Sequence, residues 1–167
     1  MKMHAGRTLV PIAIVLAIAI VAARSFWPTG ARDVRRRLDV LAEMASAPAK
    51  ETDVERSARL ARVGEFFSDD VILRKDVSSF VGGRRAVVGL ALQGAETYGR
   101  MHVSFQDVEV SMTDASTANV YLTLRVAGDD PKAETLEPRQ VNVTLSKVGG
   151  EWLVSRGEVL RTLDAAK

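Results

Sequence analysis

Polar and apolar positions alternate along this chain with three different periods. Up to residue 30 there is an uncharged apolar run, Leu9 to Ala23, between a short basic head and Arg24. From Asp33 the period is helical: Val34, Leu38, Leu41 and Ala45 recur at i, i+4, i+7 and i+11, and "SAPAK" ends the helix at Pro48. Thr52 and Glu55 form a T-x-x-E capping box, which opens a second helix with a broad apolar face of Val54, Ala58, Leu60, Ala61, Val63 and Phe67. The two are expected to pair as a hairpin. Val71 to Lys75 reads as a short strand and "SSFVGG" as a turn, with Gly82 and Gly83 supplying backbone freedom. A third helix carries Val88, Ala91, Leu92 and Ala95 on one side and stops at Gly99.

After Arg100 the period becomes two. In "VSFQDVEVSM", Val103 and Phe105 share one phase while Val108, Val110 and Met112 share the other, which predicts a bulge at Gln106 and Asp107. "ANVYLTLRVA" alternates Val120, Leu122, Leu124 and Val126 against Tyr121, Thr123 and Arg125. Val141, Val143 and Leu145 repeat the pattern before Gly149-Gly150 turns the chain into "EWLVSRGEVLRT". "AGDDPKAETLEP" reads as a loop. The expected product is α+β, an antiparallel meander with helices ahead of it.

The amino-terminal run is expected to be a membrane anchor. Leu9, Ile12, Ile14, Val15, Leu16, Ile18, Ile20 and Val21 supply the apolar helix and Trp27 an interfacial anchor. A cleaved signal peptide is the competing reading, because Val21 and Ala23 are small residues near the right place. On the anchor reading residues 1–30 tether a domain at 31–167, and the slight preference is for export to the periplasmic side. Arg32, Arg35, Arg36 and Arg37 then fall where they meet anionic headgroups, or else form a solvated helix face interleaved with Asp33 and Asp39.

Charge and composition narrow the chemistry. The 167 residues carry 23 basic and 21 acidic side chains, and three of the basic ones fall before residue 31, which leaves a nearly neutral domain without a nucleic-acid footprint. There is no cysteine, so disulfides, thiolate metal sites and a cysteine nucleophile are excluded. One histidine in the domain makes zinc a poor fit, and Gly82, Gly83 and Gly89 match neither G-x-G-x-x-G nor the phosphate-loop spacing. No cofactor is implied.

The aromatic-acid stretch Phe66 to Val71 ("FFSDDV"), the turn and helix start Gly83 to Val88 and the closing strand from Gly150 ("GEWLV"), in this order of helices and strands, resemble the nuclear transport factor 2-like superfamily over residues 31–163. The resemblance implies three helices on a curved antiparallel sheet, cone-like around an apolar pocket and often dimeric through the sheet. Pocket walls are then expected from Phe66, Phe67, Tyr98, Tyr121 and Trp152. In isomerases of the superfamily a base carboxylate follows the aromatic-acid stretch; Asp76 is the nearest match, displaced by about a residue, and no tyrosine precedes Tyr98 to serve as the early-helix donor.

The expectation that follows is a membrane-tethered, non-catalytic domain, an accessory subunit of a membrane complex or a binder of a small apolar ligand. Its partners would be the membrane and either another protein or a second copy. The alternative is a small-molecule isomerase, cyclase or hydrolase using Asp76 and His102, and it requires both side chains in one closed pocket. Trp152 is expected in the core with its N–H hydrogen-bonded. Tyr121, Arg125, Arg156 and Glu158 are expected either to read a ligand carboxylate or to form cross-strand pairs.

Overall fold

The computed structural model describes residues 29–75, 80–128 and 136–160. Helix α1 covers 29–45 and buries the stripe its spacing predicts, with Val34, Leu38 and Leu41 against the sheet. Helix α2, Asp53–Val63, starts at the expected capping box: the Thr52 N–H donates to Glu55 Oε2 at 2.8 Å, and the Glu55 N–H donates to Thr52 Oγ1 at 3.3 Å. Its buried face is narrower than the periodicity suggests. Leu60 and Val63 face inward, Val54, Ala58 and Ala61 lie exposed, and Arg59 occupies the remaining inward position.

One 3-10 turn, Gly64–Phe66, leads into β1, Phe67–Arg74, which pairs antiparallel with the short β2, Phe80–Gly82. The expected turn at "SSFVGG" thus contains a strand, and the strand before it starts earlier than Val71. Helix α3, Arg84–Tyr98, begins at Gly83 and ends at Gly99, and both glycines take the positive φ that ordinary residues avoid. Val87 and Ala95 are buried, with Ala91 and Leu92 packed beside them.

The remaining strands are β3 (Met101–Met112), β4 (Thr117–Gly128), β5 (Leu136–Val148) and β6 (Glu151–Val159). The expected bulge is present: pairing of β3 with β4 shifts between Gln106 and Glu109, and Asp107 has φ 51°. It is this extra residue that lets Phe105 and Val108 both lean on the core despite their opposite phases. Gly149 and Gly150, both at positive φ, make the tight β5–β6 turn.

Two architectural expectations are corrected. The sheet has six strands in the order β2-β1-β6-β5-β4-β3, and β1 runs parallel to β6, so it is mixed rather than antiparallel. It is also open, with β2 and β3 as its ends, and is not closed into a cone. The layer between helices and sheet is filled by side chains, of which Val34, Val71, Val120, Leu122 and Leu145 are the most completely buried.

The membrane expectation is corrected as well. Among the described residues no helix is long and apolar enough to cross a membrane. The residues of the expected anchor, Leu9, Ile12, Ile14, Val15, Leu16, Ile18, Ile20, Val21 and Trp27, lie outside the described residues. A single-pass tether, its exported domain and a membrane partner therefore have no structural support. Of the arginines expected at headgroups, Arg37 turns inward to the protein, as described below, while Arg32, Arg35 and Arg36 stand exposed on α1.

Candidate functional site

Arg59 holds the end of α1. Helices finish with carbonyl groups that lack intrahelical partners, and here the Arg59 Nη1 donates to Met44 O at 2.9 Å and Ala45 O at 3.1 Å. The other side of the guanidinium grips Glu51, with Nε to Oε1 at 2.6 Å and Nη2 to Oε2 at 3.1 Å. Both side chains are nearly excluded from water, at 10% and 6% exposed. Glu51 is held below its ordinary carboxylate range, first by the Arg59 hydrogen bond and then by the charges of Arg59 and Arg56, against the opposing effect of burial.

The connection that follows α1 docks on β3. Ser46 Oγ accepts from the Val103 N–H at 2.9 Å, and the Ala47 N–H donates to Met101 O at 2.8 Å. Between this connection, the end of α1 and the first residues of β3 lies a cleft of about 550 Å³ lined by Val40, Glu43, Met44, Ser46, Ala47, Pro48, Arg59 and His102. Its walls are mainly apolar, and its size falls within the roughly 300–1,000 Å³ typical of ligand pockets. Ser46 Oγ is committed to the backbone, donating to Ala42 O at 2.8 Å, and Arg59 is committed to Glu51 and the helix end. His102 and Glu43 are the polar side chains of the cleft left to meet a ligand.

Arg37 is a second organising cation. It stands 4.1 Å above the Phe66 ring, donates from Nε to Trp152 O at 3.2 Å, and approaches Glu151 Oε2 at 3.4 Å. It ties α1 to the 3-10 turn and to the start of β6. The recess beside it, about 240 Å³, includes Asp33, Arg36, Gly150 and Trp152. A third recess, of about 600 Å³, lies at the start of α3, where Arg84 bridges to Asp69 at 3.2 Å.

The residues expected to wall one pocket do not come together. Phe66 and Trp152 are core residues, Phe67 is half-buried at the start of β1, and Tyr98 is exposed at the end of α3. Tyr121 lies on the opposite face of the sheet, where its hydroxyl donates to Gln140 at 2.8 Å. The Trp152 Nε1 is buried without a hydrogen-bond partner among the described residues, contrary to expectation. Asp76 lies outside the described residues, and His102 faces an open cleft rather than a closed pocket.

The far face of the sheet, where a second copy or another protein was expected to seat, is polar and cross-linked by its own side chains. Thr144 donates to Asn119 at 3.1 Å, Thr123 to Asp107 at 3.1 Å, and Arg125 reaches Gln106 at 3.5 Å. Tyr121 and Arg125 thus form cross-strand pairs. Arg156 and Glu158 stand exposed on β6, opposite Thr144 and Asn142.

Periodicity did not disclose the Glu51–Arg59 pair. The available signal was an arginine beside Leu60 on the inward side of α2, with an acid just ahead of the capping box.

No protein-family model and no curated protein matches the chain. Solved structures do. An NTF2-like protein with a cystatin-like fold from Novosphingobium aromaticivorans is similar at 15% identity with a TM-score of 0.66, covering 87% of this chain and 90% of that one. A candidate scytalone dehydratase from the same organism has 16% identity and a TM-score of 0.65, with 84% and 89% covered. An NTF2-like protein from Pseudomonas putida KT2440 has 13% identity and a TM-score of 0.62, with 83% and 90% covered. At such identities the likeness establishes the NTF2-like, cystatin-like fold and nothing about activity.

Proposed function

We propose that this chain is a binding domain rather than an enzyme, and that it takes a small, largely apolar ligand in the cleft beside His102. One observation carries the reading: the cleft is walled by Val40, Met44, Ala47 and Pro48, while Ser46 and Arg59 are already spent on structural hydrogen bonds. That arrangement offers apolar contact plus the His102 imidazole and the Glu43 carboxylate to orient polar groups, and no activated nucleophile. The candidate dehydratase among the similar structures keeps chemistry in view for the fold, but Ser46 and Arg59 give this cleft no second free group beyond Glu43 to work with His102.

The test is a titration of the full chain with 1-anilinonaphthalene-8-sulfonate, an aromatic amphiphile, followed by fluorescence and by the His102 imidazole signals in NMR. Binding is expected to shift those signals. Val40→Trp, a change at an exposed position of α1, should obstruct one wall of the cleft and weaken binding. His102→Ala should weaken binding by up to about tenfold, the value of one net hydrogen bond. Probe binding that is absent, or unchanged by Val40→Trp, would refute the assignment.

A further inference from the structure

We propose that the Glu51–Arg59 pair is a latch holding the α1–α2 connection over the edge of β3, so that one ion pair governs both the exposure of that edge and the wall of the cleft. Its functional consequence rests on the ligand-binding reading above; the latch itself does not.

β3 is an end strand, and end strands present unpaired N–H and C=O groups to any chain that can pair with them. At Met101 and Val103 the connection takes those groups. Ala47 donates to Met101 O, while Ser46 Oγ accepts from the Val103 N–H and lies 3.1 Å from its carbonyl. Little else secures this segment, since Pro48, Ala49 and Lys50 are all exposed. Its two ends are held by charge: the guanidinium caps Met44 and Ala45 on one side and grips Glu51 on the other. Removing one partner leaves a poorly solvated charge and frees the segment between them.

The charged neighbours are few. Arg56 of α2 lies 3.8 Å from Glu51 and is itself paired with Asp53 at 3.0 Å, Glu55 opposes Glu51 electrostatically, and His102 of β3 and Glu43 of α1 share the cleft with Arg59. Among the described residues, Arg56 is the one placed to substitute for Arg59 against Glu51, but it makes no hydrogen bond to the α1 carbonyls. A ligand bridging Pro48 and His102 would span the connection and β3, and so favour the closed latch; reciprocally, a closed latch favours the ligand.

Residue-resolved amide hydrogen exchange on the full chain tests this. Glu51→Gln is expected to accelerate exchange at Ala47 and Val103 about tenfold while Val120 and Val143 on the central strands stay within about twofold. Ser46→Ala, which leaves the ion pair intact, should accelerate Val103 and so confirm that this amide reports docking. Bound 1-anilinonaphthalene-8-sulfonate should slow Ala47 and Val103 in the unmodified chain. No change at Ala47 and Val103 in Glu51→Gln would overturn the latch. Uniform acceleration that includes Val120 and Val143 would overturn it too, by making the pair a global stabiliser. Local acceleration without any probe binding would sustain the latch and sink the ligand-binding reading.

Discussion

Arg59 is a charged residue on the buried side of α2, and its partner Glu51 helps set how the protein should respond to acid. Because Glu51 titrates below its ordinary 4.5 in the folded chain, it contributes stability in full above that value and loses it as pH falls through the lower folded value. Glu51→Gln should therefore flatten the acid limb of a stability-versus-pH curve measured by urea unfolding, and an unchanged limb would assign it to other carboxylates. Glu55 and Asp114 are lowered as well, by hydrogen bonds from Thr52 and Ser116, so the limb should shrink without vanishing. At this scale legibility depended on locality. The box at Thr52 and Glu55 spans three residues and could be read directly. The Glu51–Arg59 pair spans eight, crosses a helix start, and depends on where α1 ends in space.

The elements show the same division. Strand and helix periods located Val34, Leu38 and Leu41, the alternation of β4 and even the bulge at Asp107, because each of these follows from neighbours along the chain. Packing between elements left weaker traces. Gly64 is buried where the 3-10 turn meets α3, and a Cβ there would sit 2.7 Å from Val88 Cγ2. Val88 is β-branched and stiff, so Gly64→Ala should push α3 outward and cost about 1–3 kcal/mol in chemical denaturation. A cost near zero would mean that α3 can slide freely on the turn. The sheet's two ends are protected differently, β2 by its three-residue length and β3 by the bulge and the Ser46–Ala47 clasp.

Across the whole molecule, the superfamily resemblance anticipated helices on a sheet, and similar solved structures support that fold. It also led to a hollow cone, whereas the layer between helices and sheet is packed with aliphatic side chains. Leu122, at its centre, is 2% exposed, so Leu122→Ala should cost about 2–5 kcal/mol, read as a lower urea midpoint with unchanged slope. A loss below about 1 kcal/mol would mean that the surrounding side chains relax into the space Leu122 leaves. The parallel neighbour was not legible in the sequence, since hydrophobic alternation carries no information on strand direction. Phe67 pairs with Val154 and Leu73 with Gly157, across most of the domain's length. This placement imposes an order on synthesis. While the ribosome is still making the middle of the chain, β1 and β2 exist as an orphan hairpin, and they can be zipped to the meander only after residues 151–159 have left the exit tunnel. Until then the nascent chain presents a raw apolar flank, which makes the interval before β6 emerges the period in which chaperones have most to guard.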